Sequence, residues 1–186
     1  LTVCAILAVA SLVLIYKMQW IKLIFPGIIL TYLAHALWVL KHIYFSRVDT
    51  GYFGVREVYF FINTGFLSLY WFLFIAGIHL IRGKDGSEKN SMAAASFLNG
   101  ILFFTLAFPK IAWSYPEYKF IFVCVLGTVY LALSFFEDRM RNERLYVSDT
   151  IIAVLLFTLA IPLKFATSHT TVIWLIELPF LLVTGL

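Results

Sequence analysis

Residues 58–80 read VYFFINTGFLSLYWFLFIAGIHL, a run of 23 residues without a single Asp, Glu, Lys or Arg. A helix needs about 20 apolar residues to cross the hydrocarbon core of a bilayer, and this run is long enough to do so. Asn63 lies inside the run, five residues from its start. The run therefore predicts a transmembrane helix that carries a polar side chain.

The composition of the whole chain agrees with this prediction. Charged residues make up 13% of the 186 residues and hydrophobic residues 62%, whereas soluble domains have about 25% charged residues. The mean hydropathy is +0.95, and a globule of this size has too much surface for its volume to bury so many apolar side chains. The sequence predicts an integral membrane protein with the lipid bilayer as its partner. The net charge of +4 is typical of membrane loops and gives no reason to expect nucleic acid.

Apolar runs of this kind recur along the chain, and the connections between them are too short for a soluble domain. The predicted fold class is all-α, a polytopic bundle of about seven transmembrane helices that forms a single region over residues 1–186. Ser148 and Asp149 are residue types suited to cap the N-terminus of the sixth helix. The predicted spans are 1–16, 23–40, 58–80, 92–113, 120–136, 150–165 and 170–186.

An internal similarity relates the fourth and sixth spans. LFFTLAFPK (102–110) resembles LLFTLAIPLK (155–164) at an offset of 53 residues, which predicts parallel repeats of helical hairpins, with chance similarity as the alternative. A proline removes the hydrogen bond to the carbonyl four residues earlier, so Pro109, Pro162 and Pro179 predict helix kinks.

Both ends of the sequence lie inside apolar runs, and the first residue is not methionine. This pattern predicts an excerpt of a longer chain. Its N- and C-terminal parts would then be partners of the helices described by the sequence, together with other proteins in the membrane.

The final stretch, LFTLAIPLKFATSHTTVIWLIELPFLLVTGL (156–186), combines the elements AIPL at 160–163, a Thr pair at 170–171, Trp174, Glu177 and a closing Gly185. In these elements it resembles a bacterial membrane family called domain of unknown function 2339 (DUF2339). FLNGILFFTLAF (97–108) and WIKLIFPGIILTYLAHALW (20–38) also resemble helices of that family. The resemblance implies a multi-pass protein of the bacterial inner (cytoplasmic) membrane, with a soluble N-terminal region before many helices. It implies no activity.

One acidic residue, Glu177, lies well inside a predicted span, on the order of 10 Å from the turn near Ser168 at about 1.5 Å per residue. Ionisable residues at this depth are costly and therefore suggest a functional site. Because the chain alternates direction, four more polar residues share this depth in the same leaflet, and His35 is the expected partner of Glu177. The predicted intramembrane polar site comprises Glu177, His35, Asn63, Thr105 and Thr158.

Two function classes follow from this site. In the first, the protein is a transporter or flippase, and the residues around Glu177 line a polar pocket. In the second, it is a structural or assembly scaffold, and Glu177 holds helices together by hydrogen bonding. An enzyme is disfavoured because HExxH, GxSxG, GxxxxGK and CxxC motifs are absent from the sequence. No catalytic residue, cofactor or metal site is predicted.

Overall fold

The computed structural model describes residues 1–18, 23–45, 53–80, 86–140 and 142–165. Over these ranges the protein is all-α, as predicted, and a short 3-10 helix at Pro116–Tyr118 joins the fourth and fifth α-helices. The α-helices are α1 (Thr2–Met18), α2 (Ile24–Phe45), α3 (Phe53–Leu80), α4 (Gly86–Ser114), α5 (Lys119–Arg139) and α6 (Glu143–Lys164).

Five of the helices, α2 to α6, are long and apolar enough to cross a membrane, rather than the seven that were predicted. With 17 residues, α1 is about 25 Å long and falls short of a hydrocarbon core of about 30 Å. The predicted span 170–186 lies outside the described residues. The part of the chain that the structure describes therefore shows a multi-pass architecture with five candidate spans.

The helices extend further than the apolar runs that predicted them. α4 begins at Gly86 instead of residue 92, and α6 begins at Glu143 instead of residue 150. The prediction that Ser148 and Asp149 cap α6 is wrong, because Asn142 holds the N-cap position. Polar residues such as Glu143 continue the helix beyond the apolar segment, and an acidic side chain is favourable in a first helical turn.

The outer surfaces of these helices are apolar. Between 28% and 39% of the residues in each candidate span are buried within the protein, so most side chains face outward. The outward side chains include many large hydrophobic residues, among them Leu30, Leu37, Phe72, Val125 and Leu155. A helix that is hydrophobic all round fits a lipid environment, and these faces contact the bilayer.

The chain divides into two compact units, residues 1–110 and 111–186. In the first unit, α1 packs against α2 and α3. Gly77 on α3 allows one of these contacts, because a Cβ atom at that position would collide with the side chain of Leu12 on α1.

In the second unit, α5 and α6 form a closely packed hairpin. A Cβ atom added at Gly127 would lie 3.3 Å from Cζ of Phe157 and 3.4 Å from Cβ of Leu156, so the absence of a side chain lets the two helices approach. At the end of the hairpin that lies away from the α5–α6 connection, Nζ of Lys164 lies 5.4 Å from the centre of the Phe120 ring. This cation–π contact joins the end of α6 to the start of α5.

Two of the three prolines predicted to kink helices lie within the described helices. α4 continues for five residues beyond Pro109 and α6 for two residues beyond Pro162, so the two prolines differ in their distance from the helix ends. Pro179 lies outside the described residues, as does the second helix of the second predicted hairpin, residues 170–186.

Candidate functional site

Hydrogen bonds made by two side chains, Tyr32 and Asn99, connect three helices of the first unit. The Tyr32 hydroxyl on α2 donates to Oδ1 of Asn99 on α4 over 2.8 Å. Nδ2 of Asn99 donates in turn to the backbone carbonyl of Trp71 on α3 over 3.2 Å. The Trp71 ring stacks on Phe103, with ring centres 5.0 Å apart. These contacts hold α2, α3 and α4 around a common interior.

His35 lies in that interior, one turn beyond Tyr32 on α2, and its side chain is fully buried. The edge-on ring of Tyr70 lies 5.6 Å from the imidazole centre, and the ring of Trp38 lies 6.4 Å away. Neither imidazole nitrogen has a hydrogen-bond partner of regular geometry among the described residues. Most buried polar atoms in proteins are paired, so an unpaired buried imidazole requires an explanation.

Two further polar side chains lie close to His35. Asn63 on α3 approaches the imidazole closely enough for a weak hydrogen-bonding interaction, although its Oδ1 atom forms no hydrogen bond of regular geometry. Lys110 on α4 is close enough for its charge to act on His35. The Lys110 ammonium is itself buried, without a hydrogen-bond partner among the described residues. We call His35, Asn63 and Lys110 the polar cluster.

The helix positions place the polar cluster at membrane depth. His35 lies ten residues before the end of α2, and Asn63 lies ten residues after the start of α3. Both are therefore about 15 Å along their helices from the connection between α2 and α3. The equal depth explains why two residues 28 positions apart in the sequence meet.

Lys110 reaches the cluster from the end of α4, four residues before Ser114. Side chains on a helix point toward its N-terminus. The Lys110 side chain therefore extends away from Ser114 and toward the middle of α4. A lysine near a helix end commonly extends its ammonium to the water interface. The buried Nζ atom of Lys110 does not follow that pattern.

The energetics of the cluster indicate that it does not exist as a dry core. An unsatisfied buried polar group costs about 1–3 kcal/mol, and more if it is charged. An ion at the centre of a membrane helix costs about 2.5–3.5 kcal/mol even on permissive scales. The hydroxyl of Thr64, the next residue after Asn63, is likewise buried without a hydrogen-bond partner among the described residues. Several such groups together would be strongly destabilising unless water or a ligand satisfies them.

The residues of the predicted site have different placements in the structure. His35 and Asn63 come together, as just described. The Thr105 side chain is exposed on α4, and Thr158 belongs to α6 in the second unit. Glu177 lies outside the described residues, and its predicted contact with His35 stays a prediction.

Sequence reasoning did not predict Lys110 as a site residue, because a charged residue near the end of an apolar run is expected to lie in the connection between two helices. Its position inside the predicted span 92–113 was the available signal. It also missed two carboxyl side chains of the second unit. Glu137 at the end of α5 is 2% exposed, and Asp149 on α6 is fully buried. Asp149 was interpreted as a helix cap, so its burial was not expected.

The fold and the buried polar residues together define the class of protein to which this chain belongs. Five long apolar helices with outward-facing hydrophobic side chains and with buried polar groups in their interior make this chain a multi-pass α-helical membrane protein. Comparison with protein-family models, with curated proteins and with solved structures finds no match for it. The resemblance to the DUF2339 family therefore stays a prediction from the sequence.

Proposed function

We propose that the protein moves a small solute or a lipid headgroup across the membrane through a polar site centred on His35. The observation that carries this proposal is the polar cluster, in which buried hydrogen-bonding atoms on three consecutive helices lack partners of regular geometry in the part of the chain that the structure describes. A structural hydrogen-bond network would have its partners in place. A transport site must instead offer groups that bind a solute and then release it.

The Tyr32–Asn99–Trp71 contacts provide the contrast within the same unit. There, each polar side chain has a hydrogen-bond partner at 2.8 or 3.2 Å, as expected of residues that join helices. The polar cluster lies beside this network but is not included in it. The contrast favours transport over the alternative, in which the polar residues only hold a scaffold together.

The sequence adds finer elements to the proposal. Glu177 would contribute an uncharged carboxyl group to the transport site, because an ionised carboxylate is costly inside a membrane, and the full set of spans would number about seven. A bacterial inner membrane is the proposed location, on the basis of the resemblance to the DUF2339 family.

Reconstitution into liposomes tests the proposal. Osmotic swelling would be followed by light scattering with a polyol, an organic cation and an organic anion as solutes. Lipid transfer would be followed by the chemical quenching of labelled headgroups. We expect at least one activity above that of protein-free liposomes. His35→Leu and Asn63→Leu should abolish the activity but leave the protein folded, because replacing an unsatisfied polar group by an apolar one is nearly neutral for stability.

Thr128→Val is the matched control. Thr128 is exposed on α5, and its hydroxyl donates to the carbonyl of Cys124 in the preceding turn, so this variant should keep full activity. If the folded wild-type protein showed no solute flux and no lipid transfer, the proposal would be wrong. A membrane scaffold would then be the better interpretation.

A further inference from the structure

We infer that the polar cluster binds a monoanion with oxygen acceptors, either a carboxylate or a phosphate group. This inference rests on the proposed function, because it names the chemical class of the solute that the site would take. The ligand would accept hydrogen bonds from Nζ of Lys110 and from the neighbouring donors of α2 and α3.

The charge of Lys110 is the first argument. Its ammonium is buried without a hydrogen-bond partner in the described ranges, and its charge acts on His35. Water can satisfy the hydrogen bonds of neutral buried groups, but it does not neutralise a buried charge. A buried charge is stabilised chiefly by an opposite charge, and a monoanion supplies that charge for one ammonium.

The hydrogen-bond donors on α2 and α3 are the second argument. An ammonium has three N–H donors and no acceptor, a threonine hydroxyl can donate once, and a neutral imidazole carries one N–H. Among the described residues, the Oγ1 atom of Thr64 and both nitrogens of His35 have no hydrogen-bond partner of regular geometry. Oxygen acceptors on a carboxylate or phosphate match such donors, and hydrogen bonds from an ammonium to these anions are among the strongest in proteins.

Other ligand classes fit less well. A cation would be repelled by Lys110 and would find a single carbonyl oxygen, Oδ1 of Asn63, as an uncommitted acceptor in the cluster. A neutral polyol could satisfy the hydrogen bonds but would leave the ammonium without a counter-charge. Chloride would neutralise the charge but would offer no directed oxygen acceptors.

The anionic group can come from a soluble acid or from a lipid headgroup, and a binding experiment separates the two sources. The full chain would be placed in nanodiscs of phosphatidylcholine, and its thermal unfolding midpoint measured with acetate, with inorganic phosphate and with chloride at equal ionic strength. A second series would replace part of the lipid by phosphatidylglycerol without adding a soluble oxyanion. The phosphate charge of phosphatidylglycerol is not balanced by a cationic group, whereas that of phosphatidylcholine is.

Variants at Lys110 make the test specific. We expect acetate or phosphate, or else phosphatidylglycerol, to raise the unfolding midpoint of the wild type by about 3 °C at tenfold excess over the dissociation constant. Lys110→Gln should remove this increase, and Lys110→Arg should retain it because the charge is preserved. Lys41→Gln is the matched control, since Lys41 is exposed on α2 and its variant should respond like the wild type.

The outcomes are decisive in both directions. An increase with soluble oxyanions that depends on Lys110 supports a free acid as ligand, and one seen only with phosphatidylglycerol supports a headgroup. Equal stabilisation by chloride, or the same response in Lys110→Gln, would overturn the inference. Transport of a polyol or cation without anion binding would overturn the inference but leave the transport proposal standing. Anion binding without any flux would support the inference and contradict the transport proposal.

Discussion

The hydroxyl of Tyr32 donates a 2.8 Å hydrogen bond to the side-chain oxygen of Asn99, a residue 67 positions later in the chain. Both side chains are fully buried, and the bond connects α2 with α4 across the interior of the first unit. It is one of two hydrogen bonds made by the Asn99 amide, the other being to Trp71 on α3. Asn99 is therefore the residue through which three helices are joined.

This arrangement predicts unequal effects of two substitutions. Tyr32→Phe removes one interhelical hydrogen bond and should lower the free energy of unfolding by about 0.6 kcal/mol, the average for such bonds in membranes. Asn99→Leu removes both bonds, including the acceptor of the Tyr32 hydroxyl bond, so the loss should be about 1–3 kcal/mol. Reversible unfolding in mixed micelles measures both values. A larger loss for Tyr32→Phe than for Asn99→Leu would contradict the central role of Asn99.

A second prediction concerns the α5–α6 hairpin. Gly127→Leu should destabilise the protein by about 1–3 kcal/mol, because the new side chain must displace Phe157 and Leu156. Gly65→Leu is the control, since no atom lies within 4 Å of the position that a Cβ atom would take there. This exposed variant should unfold at the wild-type midpoint or slightly above it, because leucine favours helix more than glycine does. Equal destabilisation by the two variants would show that the close packing at Gly127 is unimportant.

A third prediction concerns the topology. If α2 to α6 each cross the membrane, residues 87 and 138 lie on one side and residue 117 on the other. Ser87→Cys, Asp138→Cys and Glu117→Cys place thiols at exposed positions in a background without the native cysteines. A membrane-impermeant maleimide should label the first two from the same side and the third from the opposite side. Labelling of residues 87 and 138 from opposite sides would contradict the five-span architecture.

A fourth prediction separates transport from scaffolding through Glu177, which lies outside the described residues. Glu177→Gln preserves shape and hydrogen bonding but removes the titratable proton, whereas Glu177→Leu removes the hydrogen bonds too. If Glu177 only joins helices, Gln should keep stability and activity, and Leu should lower stability. If it takes part in proton-linked transport, Gln should fold normally and lose flux. Wild-type stability and flux in both variants would rule out either role.

The apolar runs were sufficient to predict helices and a membrane location, because hydrophobic length is a direct consequence of bilayer thickness. They were insufficient for the helix ends. An apolar run marks the part of a helix that contacts hydrocarbon, whereas α4 and α6 continue through polar residues such as Glu88 and Glu143. Hydrogen bonding along the backbone does not stop at the edge of the hydrocarbon core.

Depth counting placed His35 and Asn63 at one level, and they lie together in the structure. The same counting included Thr105, whose side chain is exposed. Residue 105 follows Asn99 by six positions, which is about 240° around a helix, so it points away from the side that Asn99 shares with α2 and α3. Counting residues gives depth but no rotation, and the rotation of each helix is set by its contacts with neighbouring helices.

The bond between Tyr32 and Asn99 also has a consequence for Lys110. Eleven residues separate Asn99 from Lys110, which is three helical turns with an angular difference of about 20° and a rise of about 16 Å. The two side chains therefore lie along one stripe of α4. Because the hydrogen bond fixes the register of α4 against α2, it also determines the position of the Lys110 ammonium along the helix axis. A slide of α4 by one turn would break that bond and shift the positive charge by about 5 Å relative to His35.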